Sequence, residues 1–344
     1  MTNNLHKPSA RPLVVLTPEP QRAERIFTEE VRAELERRFD VIDLEGAAER
    51  LDDALPGAFA IVGQPALPSD RLARAPKLRA LLNVEGNFYP NVDYPTCFER
   101  GIHVLGCGPA YATAVAEYSL GLALDLARGI SREDRAFRAN RERYVADGNI
   151  DAILLHGAAI GLIGFGNLGR ALLPLLEPFR ATVRVYDPWL PDSALEQTGV
   201  IPSTLSDLLI RSDVVFVLAT VTDETEHLLG GEQLDLLPVG ARLVLVSRAP
   251  VVDYEALLDR VAAGRLLAGI DVWPDEPVPP DYRARRVDGL VLSAHRAGGI
   301  PQAFKEIGRM VVDDLTLVAL GLPPVRMQVA ARELVGRYRN RPVS

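Results

Sequence analysis

The chain has 344 residues, 48% hydrophobic and 24% charged, with 46 acidic side chains against 38 Lys and Arg and a formal charge of −8. That length suits two domains, the composition excludes a disordered chain, and the acidic balance argues against a general nucleic-acid or anionic-membrane binder. Two cysteines, Cys97 and Cys107, are too few for a disulfide framework and sit in no metal-ligating cluster, so they read as reduced thiols in a cytoplasmic protein without a metal.

Residues 1–10 read as a loose leader without the apolar core of a signal peptide. No apolar run approaches the roughly 18 residues that span a bilayer. From there short β-branched runs alternate with amphipathic segments, the pattern of parallel sheets covered by helices on both faces. In the first third the predicted strands are PLVVLT (12–17), DVIDL (40–44), FAIVG (59–63), LRALLNV (78–84) and IHVLGC (102–107). RAERIFTEEVRAELERRF (22–39) predicts one helix, with Ile26, Val31, Leu35 and Phe39 near helical spacing.

A CGPA turn (107–110) marks a domain hinge. TAVAEYSLGLALDLARG (113–129) is apolar nearly all round and predicts a helix buried between domains. SREDRAFRANRERY (131–144), with five Arg and three acids, predicts a solvated helix face or loop. A second strand series follows: AAIGLIG (158–164), TVRVYD (182–187), DVVFVLAT (213–220), RLVLVS (242–247), LLAGIDV (266–272) and GLVLSA (289–294). PQAFKEIGRMVVDDLTLVALG (301–321) predicts a long amphipathic helix, and the tail after Pro323 carries no readable pattern.

The sharpest local signal is Gly164-Phe165-Gly166-Asn167-Leu168-Gly169, which follows an apolar strand and opens a helical pattern. Gly164 permits the tight turn, Gly166 lets the backbone approach a pyrophosphate, and Gly169 lets helix and strand pack closely. The helix start offers its N–H groups to phosphate charge. The next strand ends in Asp187, 18 positions after Gly169, where a carboxylate accepts from a ribose 2′-hydroxyl and repels a 2′-phosphate. Pro188 and Trp189 follow without an arginine, so NAD is expected over NADP.

Ligands of open α/β sheets bind outside the carboxyl ends of the strands. Those ends carry Ala219 and Thr220, Ser247 and Arg248, Asp271, Glu276 and His295. Ala219, Thr220, Ser247, Arg248, Asp271 and His295 are counted with Pro188 and the glycine loop as cofactor-binding. Arg248 can alternatively pair with a nearby acid, and Asp271 can cap a turn. His6, His103, His156 and His227 read as structural, whereas His295 is placed to carry a proton near neutral pH.

Taken in order, GFGNLG, YDP, SRAPVVDYEAL, GIDVWPDEP and SAHRAGG resemble the D-isomer-specific 2-hydroxyacid dehydrogenases, phosphoglycerate and glycerate dehydrogenases among them. VEGNFYPNVDYPTCFERGIHVL (84–105) and TAVAEYSLGLALDLAR (113–128) resemble that family's substrate loop and inter-domain helix. The resemblance implies two Rossmann-like α/β domains with parallel sheets and the site in a cleft between them. A discontinuous substrate domain (1–108 and 302–344) would flank an NAD-binding domain (109–301), with the C-terminal helix returning to the first. It also implies a homodimer formed through the cofactor domains, compatible with the apolar 113–129 helix. No nucleic-acid or membrane partner is expected, and the chain ends too early for an appended regulatory domain.

By the same resemblance, Arg248 holds the substrate carboxylate and carbonyl oxygen, and His295 exchanges a proton with that oxygen as hydride moves at the carbon. Glu276 pairs with His295, raising its pKa and fixing its tautomer. Asp271 contacts the nicotinamide amide, and backbone N–H groups at Asn87 and Phe88 bind the carboxylate. Three positions depart from the family pattern. Ala249 and Pro250 stand where two glycines are usual, and Gly86-Asn87-Phe88-Tyr89-Pro90 replaces a GxGxD loop. Phe88 therefore predicts a narrower or displaced pocket. Arg296 follows the histidine where an apolar residue is typical, either as a surface charge or to meet a second anionic group of the substrate.

The expected activity is reduction of a small 2-oxoacid by NADH to the D-2-hydroxyacid, reversible when NAD is abundant. Two other readings of the same fold are a formate dehydrogenase, which would carry Gln at position 276, and an NADH-sensing protein akin to a transcriptional corepressor with little turnover.

Overall fold

The computed structural model describes residues 11–339; the predicted leader and His6 lie outside them. The chain divides into two compact units. One runs through Tyr111 and resumes at Pro301, and the other is Ala112–Ile300.

The first unit holds β1 (Leu13–Thr17), β2 (Asp40–Asp43), β3 (Ala58–Gly63), β4 (Ala80–Asn83) and β5 (His103–Gly106), joined by the chain's last described strand, β13 (Gln328–Val329). Their order is β13-β5-β4-β3-β1-β2, with β1 to β5 parallel and β13 antiparallel to β5. Val14, Val15, Leu16, Ile61, Val62, Leu81 and Leu82 are buried on both faces, as a covered parallel sheet requires.

The single helix expected over 22–39 is two, Ala23–Ile26 and Glu29–Arg38. Thr28 is extended, and its hydroxyl accepts from Val31 N–H at 3.2 Å, capping a fresh helix. Lys305 Nζ donates to the carbonyls of Glu24 (2.6 Å) and Phe27 (2.9 Å), satisfying the end of the first helix. The apolar spacing persists through the break because Ile26, Val31, Leu35 and Phe39 share one core with Ile307, Met310, Val311 and Leu315. Those last four belong to the helix Pro301–Ala319, close to its expected span.

The expected turn at 107–110 is a helix start. Gly108–Arg128 is one helix, and Pro109 fits its first turn, where a backbone N–H has no helical acceptor. The boundary between the units falls within that helix. The Arg-rich segment forms the helix Ile130–Arg138, with no buried residue, in line with the solvated reading.

The second unit holds β6 (Ala159–Ile163), β7 (Thr182–Tyr186), β8 (Ile201–Pro202), β9 (Val214–Val217), β10 (Ala241–Leu245), β11 (Leu266–Ile270) and β12 (Leu290–Leu292). All are parallel, in the order β12-β11-β10-β9-β6-β7-β8. The strand order reverses between β6 and β9, which opens a crevice outside their carboxyl ends. Both cysteines are buried and free. Among the described residues no helix is long and apolar enough to cross a membrane, and no side-chain group is arranged to hold a metal ion.

Candidate active site

The glycine loop lies at the reversal point, between the ends of β6 and β9. Gly164 has φ +93°, and a Cβ there would sit 2.8 Å from Ala219 N, so only glycine fits. A Cβ on Gly166 would meet nothing within 4 Å, which leaves that face open to a ligand. A Cβ on Gly169 would come within 2.9 Å of Gly164 O and 3.0 Å of the Phe165 ring, the close packing expected there. The helix Asn167–Leu176 starts from Gly166 without a side-chain cap, so its first-turn N–H groups face the open side. Phe165 is buried, Leu168 is half-buried, and Arg170 lies over the Phe165 ring.

Asp187, just past β7, is tied to this loop. Its Oδ2 accepts from Phe165 N–H at 2.7 Å and its Oδ1 from Trp189 N–H at 3.0 Å. Pro188 is exposed beside it. Two acceptances leave the carboxylate with further lone pairs for a hydroxyl donor. Across the crevice the Thr220 carbonyl accepts from the Thr225 hydroxyl at 2.6 Å. Ser247, just past the end of β10, is buried, and its hydroxyl has no hydrogen-bond partner among the described residues. An open glycine, an uncapped helix start and an orphaned hydroxyl on one strand-end face together fit a dinucleotide.

Arg248, Asp271, Glu276 and His295 gather at the carboxyl ends of β10, β11 and β12. His295 Nδ1 lies 2.7 Å from Glu276 Oε2, both side chains about one-quarter exposed. The other carboxylate oxygen accepts from Trp273 N–H at 2.9 Å. Burial pushes the Glu276 carboxyl up, but the hydrogen bond and charge of His295, the Trp273 N–H and the Arg248 charge outweigh it and hold the group below its usual range. Arg248 is half-buried, and its Nη1 donates to the Ser247 carbonyl at 2.6 Å.

His295 adopts φ +51°, a costly conformation for a side-chain-bearing residue, which its neighbours must over-determine. Asp271 does most of this. It is fully buried, its carbonyl accepts from His295 N–H, and its carboxylate accepts from Arg296 and Ala297 N–H. Asp271 thus takes the turn-capping role, with no surface of its own left for a ligand. Trp273 and Tyr118 complete the support, the indole N–H donating to Ser293 O at 2.7 Å and the Tyr118 hydroxyl to Ser293 Oγ at 2.6 Å. Sequence reading missed both, although Trp273 lies inside the GIDVWPDEP motif. A cavity of about 450 Å³ opens beside the pair, lined by Trp273, Pro277, Val278, Ala284, Arg285 and Leu292. The Arg296 side chain is exposed and makes no ion pair among the described residues.

The proposed substrate loop belongs to the first unit. Phe88 does not narrow a pocket: it is buried, its ring against Gly106 and stacked on Tyr338 at 6.0 Å between centroids. Among the described residues the N–H groups of Gly86 and Phe88 donate to no protein acceptor. Asn87 between them is half-buried.

Residues 120–297 match the family model described as D-isomer specific 2-hydroxyacid dehydrogenase, NAD binding domain. The chain is 31% identical over 297 residues to an (S)-sulfolactate dehydrogenase of Chromohalobacter salexigens, covering 82% of this chain and 93% of that one. It is 28% identical to a D-3-phosphoglycerate dehydrogenase of Methanocaldococcus jannaschii over 73% of this chain and 48% of that one. The chain thus spans about half the length of the phosphoglycerate dehydrogenases it matches. Among solved structures, a phosphoglycerate oxidoreductase from Rhizobium etli is 45% identical, with a TM-score of 0.85, covering 94% of this chain and 99% of that one.

Proposed function

We propose that this chain, which belongs to the D-isomer-specific 2-hydroxyacid dehydrogenase family, interconverts a small 2-oxoacid and its D-2-hydroxyacid with NAD as hydride carrier. One observation carries the reading: the Glu276–His295 pair stands beside Arg248 at the strand ends of the dinucleotide-type sheet.

The glycine loop 164–169, Asp187, Pro188, Ala219, Thr220 and Ser247 would hold the dinucleotide, with Asp187 on the adenosine ribose favouring NAD over NADP. When bound, the nicotinamide supplies or accepts the hydride. Arg248 binds the carboxylate and carbonyl oxygen of the substrate, its planar fork suited to both. Backbone N–H groups around Asn87 and Phe88 assist on the carboxylate. Glu276 accepts Nδ1–H of His295, which leaves the opposite ring nitrogen to pass a proton to the substrate oxygen in reduction and take it back in oxidation.

The relatives named above act on sulfolactate or phosphoglycerate, both hydroxyacids with a second anionic group, and a substrate of that kind is the one to try first. Ile130, Phe137, Tyr144, Val145, Ile150 and Leu154 are all exposed apolar side chains of one stretch of the second unit, which supports a homodimer formed through the cofactor domains. The two buried free thiols support a reducing, cytoplasmic setting.

The test is loss of NADH absorbance across a panel of 2-oxoacids, with NADPH in parallel. The wild type reduces at least one group with NADH, and His295→Ala loses about 100-fold or more in kcat. Reduction by His295→Ala within about tenfold of wild type would remove His295 as the proton donor.

A further inference from the structure

The proposed substrate loop is closed from beneath by a side-chain pair that the mechanism above does not use. Glu85 and Tyr89 are 5% and 3% exposed, and the Tyr89 hydroxyl donates a hydrogen bond to Glu85 Oε2. The bond spans the three residues Gly86, Asn87 and Phe88 from the inside. A carboxylate is costly to bury, and an apolar side chain would fill the space more cheaply, so its presence needs a reason beyond packing.

The backbone on either side is pinned separately. The Tyr111 hydroxyl donates to Val84 O at 3.2 Å, Cys107 N–H to Glu85 O at 3.4 Å, and the Tyr94 hydroxyl to Tyr89 O at 2.8 Å. Phe88 is drawn down onto Gly106 and Tyr338. Between these anchors the Gly86 and Phe88 N–H groups are left without acceptors among the described residues. A loop fixed at its ends and bridged across its middle, with two N–H donors unspent, is a pre-organised anion cradle, spared the ordering cost a slack loop pays on binding.

We infer that Glu85 is a positioning residue for the substrate carboxylate: clasped by Tyr89, it holds the Gly86–Phe88 backbone in the shape that presents those N–H groups. The inference rests on the 2-oxoacid reading of the site. It concerns binding of the oxoacid, as distinct from the proton transfer proposed at His295 and from the binding of the dinucleotide.

The experiment is steady-state kinetics of Tyr89→Phe, Glu85→Leu and Glu85→Gln with the best 2-oxoacid of the panel, together with KM for NADH and the thermal midpoint. Tyr89→Phe and Glu85→Leu are expected to raise KM for the oxoacid about tenfold or more while kcat and KM for NADH stay within about threefold. Glu85→Gln keeps an acceptor oxygen for the tyrosine and is expected to restore most of that KM. If Glu85→Leu does not fold, Tyr89→Phe, which removes a single oxygen, carries the comparison. An oxoacid KM within about twofold of wild type in Tyr89→Phe overturns the inference, as does Glu85→Gln behaving like Glu85→Leu. Failure of the wild type to reduce any 2-oxoacid overturns the proposed function and this inference together, whereas turnover with an unmoved KM overturns the inference alone.

Discussion

Asp271 holds His295 from below at three consecutive points. Its carbonyl accepts the His295 N–H at 2.7 Å, and its two carboxylate oxygens accept the following N–H groups, Arg296 at 2.8 Å and Ala297 at 3.0 Å. A fully buried acid beside the histidine proposed to carry the proton invites a catalytic reading, but both its carboxylate oxygens and its carbonyl already accept from backbone.

Asp271→Ala therefore leaves two N–H groups without acceptors in a buried turn, at about 1–3 kcal/mol each. The expected result is a lower thermal midpoint together with a fall in kcat, because the φ +51° conformation of His295 loses its support. Differential scanning calorimetry and steady-state kinetics on the same preparation check it. Unchanged stability with lost activity would mean that Asp271 acts on the ligand instead.

Glu276→Gln keeps the side-chain shape and loses the charge that holds Nδ1 of His295. We expect kcat to fall about 100-fold with KM for NADH unmoved. The carboxyl sits below its usual range in the folded protein, so its contribution to stability is present above the unfolded pKa and is lost as pH falls through the lower folded value. Urea unfolding below about pH 4.5 should accordingly show a weaker acid dependence in Glu276→Gln than in wild type.

Asp187→Ala should lower kcat/KM for NADH and reduce the preference for NADH over NADPH by about tenfold or more. The same change frees the Phe165 and Trp189 N–H groups, so a modest loss of stability accompanies it. Parallel assays with both reduced cofactors measure the ratio, and a preserved ratio would take the 2′-hydroxyl contact away from Asp187.

Burial pushes the Cys97 thiol up to about 11 and holds the Cys107 thiol and the Tyr94 and Tyr111 hydroxyls well above their usual values. For such groups the stabilising term is full below the unfolded pKa and is lost as pH rises toward the folded one. Unfolding free energy should fall between about pH 9 and 11, and Cys97→Ala should flatten that fall. In the native protein at neutral pH neither thiol should react with iodoacetamide, while urea exposes both.

What was legible in the sequence was local. Apolar runs of five to eight residues became strands within three residues of their expected spans, and the glycine loop, Asp187, Arg248, Glu276 and His295 came to the strand ends as their order implied. What escaped depended on partners far along the chain. The helix break at Phe27 and Thr28 is stabilised by Lys305, and the tail after Pro323 is organised by Asp314, whose buried carboxylate accepts from the N–H groups of Val325, Arg326 and Met327. Phe88 looked like a bulky intruder in a binding loop because nothing near it in sequence announces Gly106 and Tyr338 as its seat.

The discontinuity of the first unit has a consequence for how the protein is made. The second unit is one unbroken stretch, Ala112–Ile300, whereas the first needs β13 and the helix Pro301–Ala319 to cover its sheet. A ribosome delivers the second unit whole while the first still lacks its covering helix and one sheet edge. Domains fold as units during synthesis, so the unit whose first strands are made earlier is the unit that finishes folding last. Until then Ile26, Val31 and Leu35 wait with their future partners unmade, a window in which a chaperone has apolar surface to hold.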